Sequence, residues 1–154
     1  MSTSDMNKRH GGKAGGKGIR KTVIVYLALS ATAIAIDNIY ALFGHGVRSA
    51  SMSFMFLYPL LGGSLLYFLL GAIRPGMVSV KPYRLGYNLY NSGIATLTTG
   101  SFFKGILDIA GTASEYTKIF MLVGLAFAIT GLVILIATAI RADKKSFPQA
   151  ARGL

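Results

Sequence analysis

The chain contains no cysteine and no tryptophan, and it has only two histidines, His10 and His45. The lack of cysteine excludes disulfides, thiolate metal sites, cysteine nucleophiles and palmitoylation. Two histidines are too few for a metal site without several carboxylates, and the sequence carries no nucleophile elbow, P-loop or HExxH pattern. We therefore expect no enzymatic activity and no metal or other cofactor.

Acidic residues are also scarce. The chain has 5 Asp and Glu against 16 Lys and Arg, which gives a formal net charge of +11. Such a charge is compatible with nucleic-acid binding, but the basic residues here gather in segments that flank apolar runs. This placement favours contacts with the bilayer and its anionic lipid headgroups over a nucleic-acid partner.

Charge is missing altogether from two long stretches, between Arg48 and Arg74 and between Lys118 and Arg141. A helix needs about 20 mostly apolar residues to cross the hydrocarbon core of a membrane. The sequence predicts four such spans, at residues 22–44, 52–73, 86–111 and 119–140. The third span is the least apolar, because it is rich in Gly, Thr, Ser, Asn and Tyr. The predicted fold is an all-α integral membrane protein, a four-transmembrane-helix bundle over residues 22–141 without a soluble domain.

The basic residues outside the spans predict the orientation of the chain. With four spans, one side of the membrane receives the basic residues of both tails and of the middle loop: Lys8, Arg9, Lys13, Lys17, Arg20, Lys21, Arg74, Lys81, Arg84, Arg141, Lys144, Lys145 and Arg152. Only Arg48 and Lys118 fall in the two short opposite loops. By the positive-inside rule, both termini are cytoplasmic. Residues 1–21, with the run GGKAGGKG, are predicted to be a flexible basic cytoplasmic tail, and residues 142–154 a basic cytoplasmic tail.

A cleaved signal peptide is an alternative interpretation of the first apolar run. Basic residues precede VIVYLALS, and small residues follow at Ala31–Ala33 or Ala33–Ala35. The apolar run continues to Phe43, however, which is longer than a signal-peptide core of about 7–15 residues. We therefore favour an uncleaved first span. A small basic membrane protein without cysteine fits a bacterial plasma membrane, which is the expected location.

Charged and polar side chains interrupt the spans near their predicted outer ends. Lys104 and Asp108 lie about one helical turn apart in the third span, and Asp37 and Asn38 lie in the first. Counting about 1.5 Å per residue from the span ends places Asp37, Lys104 and Tyr58 at one depth. We predict an ion pair between Asp37 and Lys104, with Asp108 as a second partner of the lysine.

Two roles fit this polar cluster. It is a structural clamp that fixes which helices pair, or it is an ion or solute site that opens outward. Charges inside a membrane are functional more often than charges on a soluble surface, whereas transporter sites usually lie at the midplane rather than near one end. The sequence favours the clamp only slightly and leaves both roles open.

The cytoplasmic end of the third span is polar as well. Asn88, Tyr90 and Asn91 are predicted to belong to an interfacial aromatic belt and to hydrogen-bond a neighbouring helix, or to line a water-filled inner vestibule. In the second span, Pro59 is followed by two glycines, which predicts a kink or a break.

Small residues recur at helical spacing in the last two spans. They form two stripes, Gly86, Gly93 and Gly100 in the third span and Gly124, Ala128 and Gly131 in the fourth. Such stripes allow helices to approach closely, within one chain or between chains. The sequence thus predicts a non-enzymatic subunit or accessory module that docks on a second copy or on another membrane protein. The alternative is a small channel or transporter that uses the polar cluster and the polar third span.

Overall fold

The structure is a computed structural model that describes residues 3–44, 46–73 and 81–150. Over these residues the chain is helical and contains no strand, which confirms the predicted all-α class. The elements are α1 (Thr3–Phe43), α2 (Ala50–Ser53), a π-helical segment (Tyr58–Leu65), α3 (Leu66–Ile73), α4 (Lys81–Ile109) and α5 (Tyr116–Ala150). We refer to residues 50–73 together as the broken helix.

Three helices are long and apolar enough to cross a membrane, and they indicate a membrane protein. They are Gly18–Phe43 within α1, Ala50–Ala72 in the broken helix and Tyr116–Arg141 within α5. These segments correspond to the predicted spans 22–44, 52–73 and 119–140. The predicted span 86–111 falls almost entirely within α4, which is long enough to cross but less apolar than the other three because of its Gly, Thr, Ser, Asn and Tyr residues.

The first and last helices extend beyond the predicted spans. α1 begins at Thr3 and α5 ends at Ala150, so most of the two segments predicted as flexible tails continue the adjacent helices. Adding one residue to an existing helix costs much less free energy than nucleating a new helix. The residues that flank a stable apolar helix therefore continue it. His45 of the first loop and Arg74 of the middle loop lie outside the described residues.

The two small-residue stripes pack against each other and hold α4 against α5. A Cβ atom added at Gly93 would collide with the backbone of Ala128, and one at Gly131 would collide with the backbone of Tyr90. Farther along, a Cβ at Gly100 would lie only 2.9 Å from that of Phe120. The numbering runs in opposite directions on the two helices, so α4 and α5 are antiparallel and in contact over several turns. Both stripes are therefore used inside the chain.

The predicted interruption of the second span is present. α2 ends at Ser53, a turn follows, and the chain resumes as the π-helical segment with Pro59 near its start. Proline has no N–H to continue a regular ladder, and wider π turns occur where such ladders are disturbed. The Tyr90 hydroxyl donates to the Gly62 carbonyl oxygen at 2.6 Å, so a neighbouring helix satisfies the irregular backbone.

The helices form an open row rather than a closed ring. α1 packs on the broken helix, the broken helix packs on α4, and α4 packs on α5. In the described part of the chain, the α1 backbone approaches neither α4 nor α5 closely. A space therefore remains between α1 and α4 on the side away from the broken helix.

Replacement of Gly93 by leucine tests the close α4–α5 contact. We expect Gly93→Leu to lower the free energy of unfolding by at least about 1–3 kcal/mol, because the new side chain meets backbone that has no room to move. Ala126→Leu is the matched control, since Ala126 is exposed on α5. The measurement is thermal unfolding of both variants in mild detergent. Equal losses in the two variants would contradict the packing described.

Candidate functional site

The Asp37 carboxylate is held by the loop that follows α1. Its Oδ2 accepts from Arg48 at 2.9 Å, and its Oδ1 accepts from the Ser53 hydroxyl at 3.0 Å. A second nitrogen of Arg48 donates to the Asn38 Oδ1 at 3.2 Å. The Asp37 side chain is 11% exposed while that of Arg48 is 52% exposed, so the arginine covers the carboxylate from the solvent side.

A second group of polar contacts joins α4 to the start of the broken helix. The Lys104 Nζ lies 3.1 Å from the Asp108 Oδ2 and donates to the Ser51 hydroxyl at 2.9 Å. The Ser49 hydroxyl donates to the same carboxylate at 2.7 Å, and the Ser101 hydroxyl donates to the Ser51 carbonyl oxygen at 2.6 Å. The predicted pairing of Lys104 with Asp108 is therefore present.

The predicted ion pair between Asp37 and Lys104 is wrong. Each of these two residues instead contacts the serine segment, Ser49–Ser53, which lies between α1 and α4. The reason is that the predicted depths took Met52 to be level with Gly111, the predicted outer end of the third span. A Cβ at Gly105 would lie 2.6 Å from the Cβ of Met52, so Met52 is level with Gly105 instead.

Tyr58 is consequently not part of the polar cluster. It was placed there by counting inward from Met52, whereas the structure packs it against the tyrosine-rich core that includes Tyr26, Tyr67 and Tyr90. The sequence reasoning also missed Arg48 and the three serines at positions 49, 51 and 53. Their alternate spacing was a visible signal, because small hydroxyl side chains commonly bond across helices in membranes. These contacts favour the clamp over an ion site.

A tyrosine–asparagine network lies at the other end of the molecule. The Asn91 Oδ1 accepts from the Tyr26 hydroxyl at 2.7 Å and from the Tyr67 hydroxyl at 2.8 Å. The rings of Tyr26 and Tyr67 are stacked with their centroids 5.9 Å apart, and Tyr67 is fully buried. This network ties α1 and the broken helix to α4 through side chains alone.

The three residues predicted for an inner vestibule occupy different surroundings. Asn91 is the acceptor of the tyrosine network, Tyr90 is buried and bonded to Gly62, and Asn88 is exposed. Tyr26 and Tyr67 were not among the predicted site residues. A signal for them existed, since a tyrosine hydroxyl within an apolar helix usually finds a partner, and the amide oxygen of Asn91 can accept two such bonds.

A groove with a volume of about 700 Å³ lies between α1 and α4. Its floor is formed by Met55 and Pro59 of the broken helix, which are both buried. Its α1 wall includes Val25 and Leu29, which are 56% and 51% exposed, so the groove is open along its length. The residues that line it are Lys21, Thr22, Val25, Tyr26, Leu29, Thr32, Ala33, Ile36, Met55, Pro59, Tyr87, Asn91, Ile94, Ala95, Thr98, Thr99 and Phe102.

Side-chain contacts define both ends of this groove. At one end, the hydroxyl oxygens of Thr22 and Tyr87 lie 3.1 Å apart. At the other end, the ring of Tyr40 meets that of Phe102 edge to face, with centroids 5.8 Å apart. The groove thus runs for most of the length over which α1 and α4 face each other.

The interior of the groove is less polar than its threonines imply. The Thr32 hydroxyl donates to the Ala28 carbonyl oxygen, and the Thr98 hydroxyl donates to that of Ile94. Hydroxyls that bond back to their own helix present mainly a methyl group to the surroundings. Within the described residues, no group of three His, Asp or Glu side chains is arranged to hold a metal ion. The groove therefore suits an apolar ligand.

A double-mutant cycle tests the corrected ion pairing. We expect Asp37→Ala and Arg48→Ala to show a coupling energy of about 0.5–1 kcal/mol in unfolding experiments, because the pair is in contact but the arginine is half exposed. The same cycle for Asp37 and Lys104 serves as the control and should give a coupling near zero. A larger coupling for the second cycle would restore the direct pair that the structure lacks.

Comparisons with known proteins assign neither the groove nor the polar clusters to a family. The chain matches no protein-family model, and no curated protein or solved structure shows significant similarity to it.

Proposed function

We propose that the chain is a non-enzymatic, four-span protein of the plasma membrane, bacterial in origin, with both ends in the cytoplasm. In this proposal it acts as an accessory module that takes one chain-like apolar ligand from the bilayer into the α1–α4 groove. The observation that carries the proposal is the shape of this groove, which is long, narrow, apolar and open along one side.

The packing of α4 supports a fourth span. α4 has 29 residues, or about 43 Å of helix, which exceeds the roughly 30 Å of a hydrocarbon core. It lies antiparallel to α5 along the glycine stripes, and α5 is apolar enough to cross. A helix fixed alongside a spanning helix shares its depth. The polar residues Tyr90, Asn91 and Ser101 of α4 are bonded to other helices, which lowers the free-energy cost of placing them there.

The dimensions of the groove favour a hydrocarbon chain. Its lining runs from Lys21 to Ile36 on α1 and from Tyr87 to Phe102 on α4, about 22 Å on each helix. The groove has a volume of about 700 Å³ over that length and is open along one side. An extended hydrocarbon chain, about 4–5 Å wide from carbon contact distances, fits along it.

Docking through the small-residue faces receives no support from the packing. Those faces were the predicted contacts to a second copy or to another membrane protein, and they now lie between α4 and α5. A partner protein would have to use other surfaces of the helices. We therefore place the binding function in the groove.

The alternative function, a small channel or transporter, is less well supported. It relied on one polar cluster along the third span, but the charges form two separate ion pairs, Arg48–Asp37 and Lys104–Asp108, each bonded to the serine segment. The threonine hydroxyls at positions 32 and 98 bond to their own helix rather than face a path for ions.

Cysteine labelling tests the four-span topology. The chain has no cysteine, so single-cysteine variants need no background changes. We expect Val47→Cys and Ala113→Cys to react with a membrane-impermeant maleimide in intact cells, and Ala142→Cys to react only after permeabilisation. If α4 does not cross the membrane, α5 runs in the opposite direction. Ala142→Cys would then react in intact cells, and Ala113→Cys only after permeabilisation.

Obstruction of the groove tests ligand uptake. We expect the protein purified in mild detergent to retain about one lipid per chain in native mass spectra, since one extended hydrocarbon chain fits along the groove. Ala95→Phe should remove most of this lipid because Ala95 lines the groove. Ala137→Phe makes the same change at an exposed position of α5 and should leave retention intact. Equal retention by the two variants would refute the groove as the site.

A further inference from the structure

One end of the groove carries a positive charge. Lys21 lines that end, next to the hydroxyls of Thr22 and Tyr87, while the remaining lining is mostly apolar. The Lys21 side chain is exposed, and among the described residues no acidic side chain pairs with it. The described lining of the groove is therefore amphipathic along its length, with Lys21 at one end and mostly aliphatic and aromatic walls beyond.

Contacts at the polar end of the groove determine which lipid is preferred. A hydrocarbon chain gains little by moving from the bilayer into an apolar groove, because lipid tails are as apolar as leucine side chains. Preference among lipids must therefore come from shape and from contacts to the headgroup. Among the described residues that line the groove, Lys21 is the one that carries a charge, and a basic side chain near the membrane surface attracts anionic lipid.

We infer that the groove is a binding site for one anionic phospholipid of the cytoplasmic leaflet. Its phosphate contacts the Lys21 ammonium group, and one acyl chain extends along α1 and α4 past Leu29 and Ala95 towards Phe102. This inference rests on the proposed function, since it identifies the class of ligand for the same groove.

The geometry favours a lipid over the other occupants of a membrane groove. The distance from Lys21 to the far end, about 22 Å, exceeds half of a hydrocarbon core of about 30 Å. A ligand that starts at the cytoplasmic surface and runs towards the opposite side therefore fills it. An apolar helix from a second copy or a partner would fill the apolar walls but leave the Lys21 ammonium group without an anionic partner. A free phosphate ion would leave the apolar length empty.

Competition between two lipids with identical acyl chains tests the inference. The full chain in mild detergent is mixed with equal amounts of phosphatidylglycerol and phosphatidylcholine, and bound lipid is counted by native mass spectrometry. We expect about a fivefold preference for phosphatidylglycerol, the effect of one basic side chain near the surface. Lys21→Gln should abolish the preference. Arg20→Gln removes the same charge from the adjacent exposed position, which does not line the groove, and should preserve it.

The possible results distinguish recognition of the lipid headgroup from binding of the acyl chain. Equal retention of both lipids by the unmodified protein, lost on Ala95→Phe, overturns the anionic preference and leaves the proposed function in place. No retained lipid at all overturns both. A preference that survives Lys21→Gln, or that survives Ala95→Phe, shows that the anionic lipid binds elsewhere and contradicts the inference. Free phosphate should not displace the bound lipid, and displacement by it would likewise contradict an acyl-chain site.

Discussion

The arrangement of this protein depends on the direct backbone contact between α4 and α5. Gly93 and Gly131 leave no room for a side chain, so the two helices meet along one face of α4. A helix has a limited circumference, and a face occupied by α5 is not available to α1. The close contact on one side of α4 therefore leaves its other side to the groove. In a closed four-helix arrangement, the fourth helix would complete the ring and fill that space.

Polar groups inside the helical region bond to neighbouring helices or to their own helix. Asn91 accepts from two tyrosine hydroxyls, Tyr90 donates to the Gly62 carbonyl oxygen of the π-helical segment, and the serine segment contacts both charged pairs. Among the described side chains, no buried nitrogen or oxygen lacks a hydrogen bond. An unpaired polar group in an apolar medium costs several kcal/mol, so these bonds allow a helix as polar as α4 to lie among apolar ones.

Much of the fold follows from the sequence, while the pairing of side chains does not. The lengths of the apolar runs, the stripe of Gly86 and Gly93 and the break at Pro59 each depend on local sequence, and each was predictable. The partner of Asp37 was not, because the residue count assumed that the second span begins at a membrane surface. The groove was not predictable either, because it lies between two helices whose backbones do not approach each other closely. A periodic stripe of small residues indicates only the helix faces that pack closely.

The groove thus arises from the way the helices pair as well as from the residues that line it. Its walls are ordinary lipid-facing residues such as Val25 and Leu29, which on an isolated helix would signal nothing beyond contact with the bilayer. They become a site because side-chain contacts between α1 and α4 define its two ends, Thr22 with Tyr87 at one and Tyr40 with Phe102 at the other. Lys21 makes the first of these ends basic, while the described walls beyond it are mostly apolar. An amphiphile with its anionic group at Lys21 and its chain along the apolar walls is therefore bound in a single orientation.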